Sequence, residues 1–375
     1  MRLVDRWMAD GQSGLTAHSV SAVRAAIEEM PETTPVRRIL ASVVDAMVES
    51  ESGEMHAVTP RLMAYGQALE YDSKYALAAD VYRTIVARSH PVEDSDLAVP
   101  AHNQLAFCLR NLGDLSGAAA AYDEAAQVAS GSGDLMGVLR AQVGRAKVCI
   151  ALGNVPQAEA ILDDAIMRSS VPGLEEALSK ALHDRAHVAA LRGQYERTIQ
   201  YAYQALEIST TQRHRERILA DIAAGFMDLG LLDVARDAYL VVAAISQEQY
   251  VRWMAELNLL EIAARQSNEP QFDRLRRDLS DSDFTPQLQV IYLLHVGRGY
   301  GLFDQSELGI EYLERAVRLA GEYKFNQLLF EAEAALNNAH QRRRQKRVQQ
   351  PVMPDSVRDV AEMIEGMKRD VAVAR

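Results

Sequence analysis

Two histidines in the string His183-Asp184-Arg185-Ala186-His187 have a spacing that could support a reaction. Side chains at positions i and i+4 share one face of a helix, and two imidazoles placed in this way can bind one zinc ion. In the H-E-x-x-H motif a glutamate acts as the general base, whereas here the shorter Asp184 follows the first histidine. No third ligand stands at a matching position further on. A metal-dependent hydrolase at His183 and His187 is therefore kept only as an alternative, and we predict that both histidines face a binding groove.

Other catalytic signatures are missing from the sequence. It contains no glycine-rich phosphate loop, no G-x-S-x-G elbow and no kinase motif. Cys108 and Cys149 lie in apolar runs without a histidine or second cysteine at metal-ligand spacing, so we interpret them as reduced core residues. We therefore expect a protein that is not an enzyme and that holds no metal and no cofactor.

The composition is that of a folded protein rather than a disordered one. Of the 375 residues, 48% are hydrophobic and 25% are charged, and the low aromatic content of 6% together with abundant alanine favours closely packed helices. The net charge of -12 argues against general nucleic-acid binding. No segment approaches the roughly 18 apolar residues of a spanning helix, and no signal peptide is recognisable, so we expect a cytoplasmic protein without a membrane partner.

Short turn signatures recur along the chain at a nearly constant spacing. Glycines at 113, 153, 193 and 230 each separate two helical patterns, and the same register meets Ser73, Asn268 and Asp304. The separations run from 36 to 40 residues. Since glycine, asparagine and aspartate tolerate positive φ, each of these positions except Ser73 suits the left-handed residue that ends a helix.

Small side chains flank every turn at fixed offsets. Seven residues before the turn stand Gly66, Ala106, Ala146, Ala186, Ala223 and Gly297, with Glu261 as a departure. Five residues after it stand Ala78, Ala118, Ala158, Thr198, Ala235 and Gly309, with Asp273 as a departure. Larger packing residues follow four positions later, among them Tyr82, Tyr122 and Tyr239. These offsets predict two tightly packed helices in each unit, with either a distorted sixth unit or a register error there.

The pattern small-x6-Gly-x4-Ala-x3-Tyr-x2-Ala resembles the signature of the tetratricopeptide repeat (TPR) superfamily over residues 57–340. Its long units are similar to those of peptide-sensing bacterial regulators of the Rap type. The resemblance implies an all-α fold, a right-handed superhelical solenoid of about seven helix pairs. It also implies that the first helix of each pair lines a concave groove that binds a peptide or protein.

The ends of the chain lie outside the repeats. We predict an N-terminal helical segment in residues 1–56, with helices at 19–30 and 35–50, and a solenoid in residues 57–340. A basic, proline-containing linker follows in residues 341–355, and a C-terminal helix in residues 356–375 caps the open end of the solenoid. The basic run 341–348 is either the solvated end of a helix or a contact for nucleic acid or an acidic partner.

Polar residues dominate the stripe that should face the groove. The stripe comprises Asn103, Phe107, Arg110, Arg140, Lys147, Lys180, His183, His187, Arg217, Asp221, Asn258 and Arg298. Arginine and lysine can hold carboxylates, and asparagine can pair with an extended backbone, so an anionic or C-terminal peptide is the expected ligand. The alternative is that these side chains only solvate the groove.

Two functional interpretations remain open at this point besides the hydrolase. The first is a non-catalytic scaffold that binds a protein or peptide in the groove. The second is a peptide-controlled bacterial regulator of the Rap type, acting through residues 1–56. The phosphatase members of that family use a glutamine on the N-terminal bundle, whereas the helix at 35–50 contains none. The sequence leaves open whether the chain forms a homo-oligomer.

Overall fold

The computed structural model describes residues 15–31, 35–49, 55–71, 74–89, 94–323, 325–341 and 353–373, together with Val4, Trp7 and Asp10. These residues form α-helices and no strand. The chain divides into two compact units, Met1–Asp184 and Arg185–Arg375. The predicted all-α fold is confirmed, while the four-part division predicted from the sequence is not tested by these two units.

The first unit contains two N-terminal helices and the first helix pairs. Its helices are α1 (Ala17–Glu28), α2 (Pro35–Glu49), α3 (Met55–Tyr71), α4 (Tyr75–Arg88), α5 (Ser95–Asn111), α6 (Leu115–Ser132), α7 (Leu135–Ala151), α8 (Val155–Ser169) and the first part of α9 (Glu175–Leu191). The predicted helices at 19–30 and 35–50 correspond to α1 and α2.

The second unit continues the same order. Its helices are the end of α9, then α10 (Tyr195–Ile208), α11 (Gln212–Asp228), α12 (Leu232–Ile245), α13 (Gln249–Arg265), α14 (Glu269–Ser280), α15 (Pro286–Leu302), α16 (Ser306–Glu322), α17 (Asn326–Gln341) and α18 (Arg358–Val373). A single 3-10 turn, Asp355–Val357, precedes α18. In sequence order, α3/α4 to α15/α16 make the seven predicted helix pairs.

Most successive helices pack against each other, and several first helices also lie side by side. In the first unit α3 contacts α5 and α5 contacts α7, while in the second unit α11 contacts α13, α13 contacts α15 and α15 contacts α17. We call the surface that these first helices form within each unit the first-helix face. It is the surface on which the predicted stripe should lie.

Among the described turns between the two helices of a pair, all but that of the sixth pair have positive φ at the predicted residue. Gly113, Gly153, Gly193, Gly230 and Asp304 all have positive φ. In the sixth pair, however, the residue with positive φ is Ser267, at 56°, and not Asn268.

Asn268 instead caps the next helix, since its Oδ1 accepts a hydrogen bond from the Gln271 amide at 3.3 Å. The predicted register was therefore wrong by one residue. With Ser267 in place, the spacing from 230 to 267 and from 267 to 304 is 37 residues in both cases. The predicted turn at Ser73 lies outside the described residues.

Small residues allow the paired helices to approach closely. Ala78, Ala118, Ala158 and Ala235 are fully buried, as the repeat pattern predicts. In the first unit a tyrosine ring lies directly over a glycine, because a Cβ on Gly144 would stand 2.1 Å from the Tyr122 ring. The corrected register of the sixth pair puts Phe272 at the small position, and its ring fits over Gly299, where a Cβ would approach to 2.3 Å.

The last helix lies elsewhere than predicted. Rather than capping the open end beside α17, α18 packs against α12 and, through its first residues, against α10. The outer face of α17 exposes Glu333 and Asn337 together with Phe330, whose side chain is 74% exposed. Apart from Gln341, the basic run 341–348 lies outside the described residues. None of the described helices is long and apolar enough to cross a membrane.

Candidate functional site

All twelve residues of the predicted stripe lie on first helices. They belong to α5 (Asn103, Phe107, Arg110), α7 (Arg140, Lys147), α9 (Lys180, His183, His187), α11 (Arg217, Asp221), α13 (Asn258) and α15 (Arg298). Their assignment to a binding site stays a prediction, and their surroundings show which of them are open to a ligand.

The face of α5 carries an aromatic and polar group that we call the α5 cluster, made of Tyr75, Asn103, Phe107 and Arg110. The last three share a helix face because they are separated by four and three residues. The Phe107 ring packs edge-on against Tyr75 at 6.0 Å between centroids, and the Arg110 guanidinium lies 5.5 Å from the Phe107 centroid. Sequence reasoning missed Tyr75, although an aromatic residue at the start of a second helix is a usable signal.

Two polar atoms of the α5 cluster are enclosed without a hydrogen-bonding partner among the described residues. The Asn103 side-chain amide donates to the Val99 carbonyl at 3.0 Å, but its Oδ1 is buried and accepts no hydrogen bond. The Arg110 Nε atom is likewise buried without a partner, although the Arg110 side chain also forms a hydrogen bond with Tyr122 on α6. Leaving a buried polar group unpaired costs about 1 to 3 kcal/mol, so these atoms indicate a place where a ligand group would be stabilised.

The other cations of the predicted stripe in the first unit are already paired with carboxylates. Arg140 on α7 lies 3.0 Å from Glu176 on α9, and Lys180 donates to the other oxygen of Glu176 at 2.6 Å. The hydrogen bond from Lys180, together with the charges of Lys180 and Arg140, holds the pKa of Glu176 below its usual value. The carboxylate is therefore ionised, and it pairs with both cations while offsetting one of their two charges.

The same arrangement recurs at two further cations. Lys147 lies 3.2 Å from Asp184, and in the second unit Arg217 lies 2.9 Å from Glu248, which also pairs with Arg213. The expectation of a generally basic stripe is therefore corrected in part: the cations lie where predicted, but the carboxylates of Glu176, Asp184 and Glu248 pair with them and offset part of their charge. Sequence reasoning missed these carboxylates because they lie outside the stripe as it was counted.

The histidines do not form a metal site with their neighbours in the structure. His183 is half-buried and His187 is exposed, while Asp184, the acid that follows His183, is paired with Lys147. Within the described ranges no group of three or more histidine, cysteine or acidic side chains is placed to hold a metal ion. The hydrolase alternative gains no geometric support from these residues.

In the second unit the stripe borders a largely buried contact between a carboxylate and an imidazole. Glu261 Oε2 lies 3.0 Å from His295 Nδ1, with both side chains largely buried. Burial disfavours the charged carboxylate, but the hydrogen bond and charge of His295, with Arg265 and Arg298, hold the pKa of Glu261 below its usual value. Asn258 repeats the behaviour of Asn103, since its amide donates to the Met254 carbonyl at 2.8 Å. Glu261 is therefore a paired core residue and not a sign of distortion.

Solved structures share this fold at low sequence identity. The apo form of the quorum sensor NprR from B. thuringiensis is 12% identical, with 85% of this chain and 97% of that chain covered, at a TM-score of 0.55. The Rap conjugation gene regulator of the plasmid pLS20, in complex with the Phr* peptide, is also 12% identical, with 91% and 95% covered, at a TM-score of 0.51. At this identity the likeness concerns the fold alone.

Comparison by sequence adds nothing to this likeness. No protein-family model and no curated protein matches the chain. The structural neighbours and the repeated helix pairs nevertheless agree with the resemblance found in the sequence. The chain therefore has the fold of the long-repeat tetratricopeptide proteins.

Proposed function

We propose that this protein is a non-catalytic scaffold that binds a peptide, or an extended segment of a protein, on its first-helix face. The α5 cluster is the observation that carries the proposal. An extended peptide offers an N–H group to Asn103 Oδ1, an acceptor to Arg110 Nε and an apolar side chain to the Phe107 and Tyr75 rings. One ligand class, an extended peptide, can therefore pair with both polar atoms and pack against both rings.

The paired cations narrow the kind of ligand. Because Glu176 and Asp184 pair with Arg140, Lys147 and Lys180, two negative charges offset two of the three positive ones, and this part of the first-helix face is only weakly basic. We expect the Arg110 guanidinium to bind an acidic side chain or the C-terminal carboxylate of the ligand. The ligand is therefore recognised at α5 by one charge, one backbone contact and one apolar contact.

The test is a screen of the full-length chain against displayed peptides, followed by calorimetric titration of the selected peptide. We expect Asn103→Ala and Arg110→Ala each to weaken binding about tenfold or more, as the loss of a hydrogen bond to a buried or charged group does. Asn111→Ala is the matched control for Asn103, since Asn111 also donates to the carbonyl four residues back, at 2.8 Å, but is exposed. Arg83→Ala, on the second helix α4, is the control for Arg110.

If Asn103→Ala and Asn111→Ala, or Arg110→Ala and Arg83→Ala, weakened peptide binding equally, the proposed site would be contradicted. A selected peptide whose affinity is insensitive to both Asn103→Ala and Arg110→Ala would place binding elsewhere. Circular dichroism of each variant distinguishes a lost contact from a lost fold.

A second candidate is a peptide-controlled regulator that acts through its N-terminal helices. The specific support is that the neighbours described above are a quorum sensor and a regulator bound to a peptide, and that they cover 85% and 91% of this chain. On this hypothesis residues 1–56 bind a second protein, and peptide binding at the α5 cluster changes that affinity. An effector that binds equally well with and without the selected peptide would exclude this regulation while leaving the scaffold intact.

A further inference from the structure

A chain of tyrosine and arginine side chains connects α14 and α16, two second helices that do not pack closely against each other. The Arg276 guanidinium of α14 lies 5.8 Å from the centroid of the Tyr300 ring on α15. Tyr300 in turn lies 5.6 Å from the Tyr312 ring on α16, and the Arg315 guanidinium lies 5.1 Å from the Tyr312 centroid. The hydroxyl of Tyr292 on α15 donates to the Arg276 carbonyl at 3.0 Å. We call these five residues of three helices the tyrosine–arginine cluster.

The ring contacts leave the charge of both guanidiniums uncompensated. A ring face attracts a cation but supplies no oxygen acceptor for its N–H groups. Arg276 Nε is buried without a hydrogen-bonding partner among the described residues, since Asp273 Oδ1 lies 3.6 Å away, too far for a hydrogen bond. Arg315 is exposed and forms no ion pair with a described residue. The cluster therefore has two positive charges against one negative charge, and one buried donor without an acceptor.

Burial keeps the tyrosines of the cluster in their neutral form. It raises the pKa of Tyr292 to about 12, while the charges of Arg276 and Arg315 act in the opposite direction. It also raises the pKa of Tyr300, again against the charge of Arg276. A protonated hydroxyl can donate a hydrogen bond. The rings thus add neutral donors beside the two cations and do not compensate their charge.

The placement of these donors on three helices favours a ligand with acceptor oxygens in several directions. Guanidinium groups bind both carboxylates and phosphoryl groups through paired N–H donors. A carboxylate has two oxygens in one plane, which a single arginine can satisfy, whereas a phosphoryl group has three oxygens in tetrahedral directions. Arg276 on α14 and Arg315 on α16, with tyrosine hydroxyls between them, match the phosphoryl group better.

We propose that the tyrosine–arginine cluster is a binding site for a phosphoryl group, which Arg276 and Arg315 hold with the Tyr300 and Tyr312 hydroxyls as further donors. The group belongs to a small phosphate ester or to a phosphorylated side chain of a protein, and its recognition at the cluster is the same in both cases. Because the donors come from α14 and α16, the bound group also joins two helices that do not pack closely against each other.

The experiment is a calorimetric titration of the full-length chain with inorganic phosphate at constant ionic strength. We expect one phosphate to bind per chain, with a dissociation constant of about 1 mM or lower. Arg276→Ala and Arg315→Ala should each weaken binding about tenfold or more, since each removes a charge-assisted hydrogen bond. Absence of saturable binding up to about 10 mM phosphate would refute the site.

Neighbouring arginines on the same helices provide matched controls. Arg277 on α14 and Arg318 on α16 are both exposed, and Arg277 donates only to a carbonyl of its own helix, that of Asp273, at 3.1 Å. Arg277→Ala and Arg318→Ala change the net charge as the test variants do, so they should alter the affinity for phosphate less than about twofold. Weakening as large as that caused by Arg276→Ala would mean that phosphate responds only to the general charge of this surface.

Conservative variants separate binding from a structural role. Arg276→Lys keeps the charge but loses the fork of donors, so it should weaken phosphate binding about threefold or more. Tyr312→Phe keeps the ring and removes one hydroxyl, and it should weaken binding about threefold. If both variants bind phosphate as the unaltered chain does, the proposed contacts are wrong.

If Arg276→Ala does not fold by circular dichroism, hydrogen exchange on the unaltered chain decides together with Arg315→Ala. Phosphate should slow exchange in α14 and α16 of the unaltered chain and leave it unchanged in Arg315→Ala. Equal protection of both chains would overturn the proposal.

Other anions identify the ligand and its source. Acetate that binds as tightly as phosphate would show that the site takes a carboxylate, and the proposal would fail. A phosphoserine peptide that binds about tenfold more tightly than free phosphoserine would identify a phosphorylated protein as the source, and equal affinities would identify a small phosphate ester. The cluster lies in the second unit and the α5 cluster in the first, so the peptide-binding proposal stands or falls separately.

Discussion

The first helices have the same length in both units of the molecule, whereas the second helices differ in length. Each first helix of the seven pairs has 17 residues, in the first unit and in the second alike. Second helices have 14, 18 and 15 residues in the first unit and 14, 14, 12 and 17 in the second. The repeat accordingly changes from 40 residues between Gly113, Gly153 and Gly193 to 37 from Gly193 onward.

This difference shows where the fold tolerates variation. A first helix contacts the first helices before and after it as well as its own partner, so its length is constrained on several sides. A second helix and the loop that follows have fewer neighbours, and they absorb the change of three residues. The constant part is also the part that carries the candidate peptide-binding face.

The largest expected effect tests the tyrosine that anchors the second pair of the first unit. Tyr122→Ala should lower the free energy of unfolding by about 3 to 5 kcal/mol, because it empties the space over Gly144. Phe272→Ala should have a similar effect in the second unit. Chemical denaturation of both variants measures this, and a loss below about 1 kcal/mol for either one would mean that its ring is not an anchor.

A second test adds atoms instead of removing them. Gly144→Val should lower the free energy of unfolding by about 3 kcal/mol, since its Cβ would overlap the Tyr122 ring. Gly131→Ala on α6 is the control, because a Cβ there meets nothing within 4 Å. Gly131→Ala should be neutral or stabilising by up to about 1 kcal/mol in the same denaturation assay, and equal destabilisation by both variants would argue against close packing.

A third test contrasts Glu261 of the second unit, whose side chain is 21% exposed, with Glu176 of the first, whose side chain is 37% exposed. Glu261→Gln should lower the free energy of unfolding by about 1 to 3 kcal/mol at neutral pH, and Glu176→Gln by less than about 1 kcal/mol. The folded-state pKa of Glu261 is lowered, so its contribution is present above the unfolded-state value of about 4.3 and is lost as the pH falls through the folded-state value. Denaturation across acidic pH should therefore show the difference between the unaltered chain and Glu261→Gln shrinking. A difference that is independent of pH would contradict the paired state.

The smallest expected effect tests the corrected turn. Ser267→Gly should raise the free energy of unfolding by about 0.5 to 1 kcal/mol, because glycine adopts positive φ without steric penalty. The reciprocal change in the first unit, Gly153→Ser, should lower it by a similar amount. Thermal unfolding measures both, and stabilisation by Asn268→Gly instead of Ser267→Gly would restore the original register.

The register error at the sixth pair has a clear physical origin. Asparagine suits both a left-handed turn position and a helix N-cap, whereas serine is rarely expected at positive φ. Asn268 takes the second role, which shifts the turn to Ser267. Turn residues and small packing residues predicted the other described helix pairs, because their chemistry is local.

The candidate site and the last helix depend on contacts between distant parts of the sequence. The stripe on the first helices was predictable from spacing, but the pairing of Arg140 with Glu176 joins residues from successive pairs. The amphipathic pattern of α18 predicted that it docks, but apolar spacing does not specify against which helices. Knowing its place required the positions of Glu196 and Asp237 in space.

The return of α18 to α10 also has a consequence for how the chain folds. Contacts in stacked repeats are mostly between neighbours, so each pair can form soon after its residues are available. The bond from Gln200 to Ser356 instead joins residues 156 apart in sequence. Its closure carries the entropy penalty of a long loop and requires α10 and α12 to be in place. We therefore expect α18 to dock late in folding, after α10 and α12 have assembled.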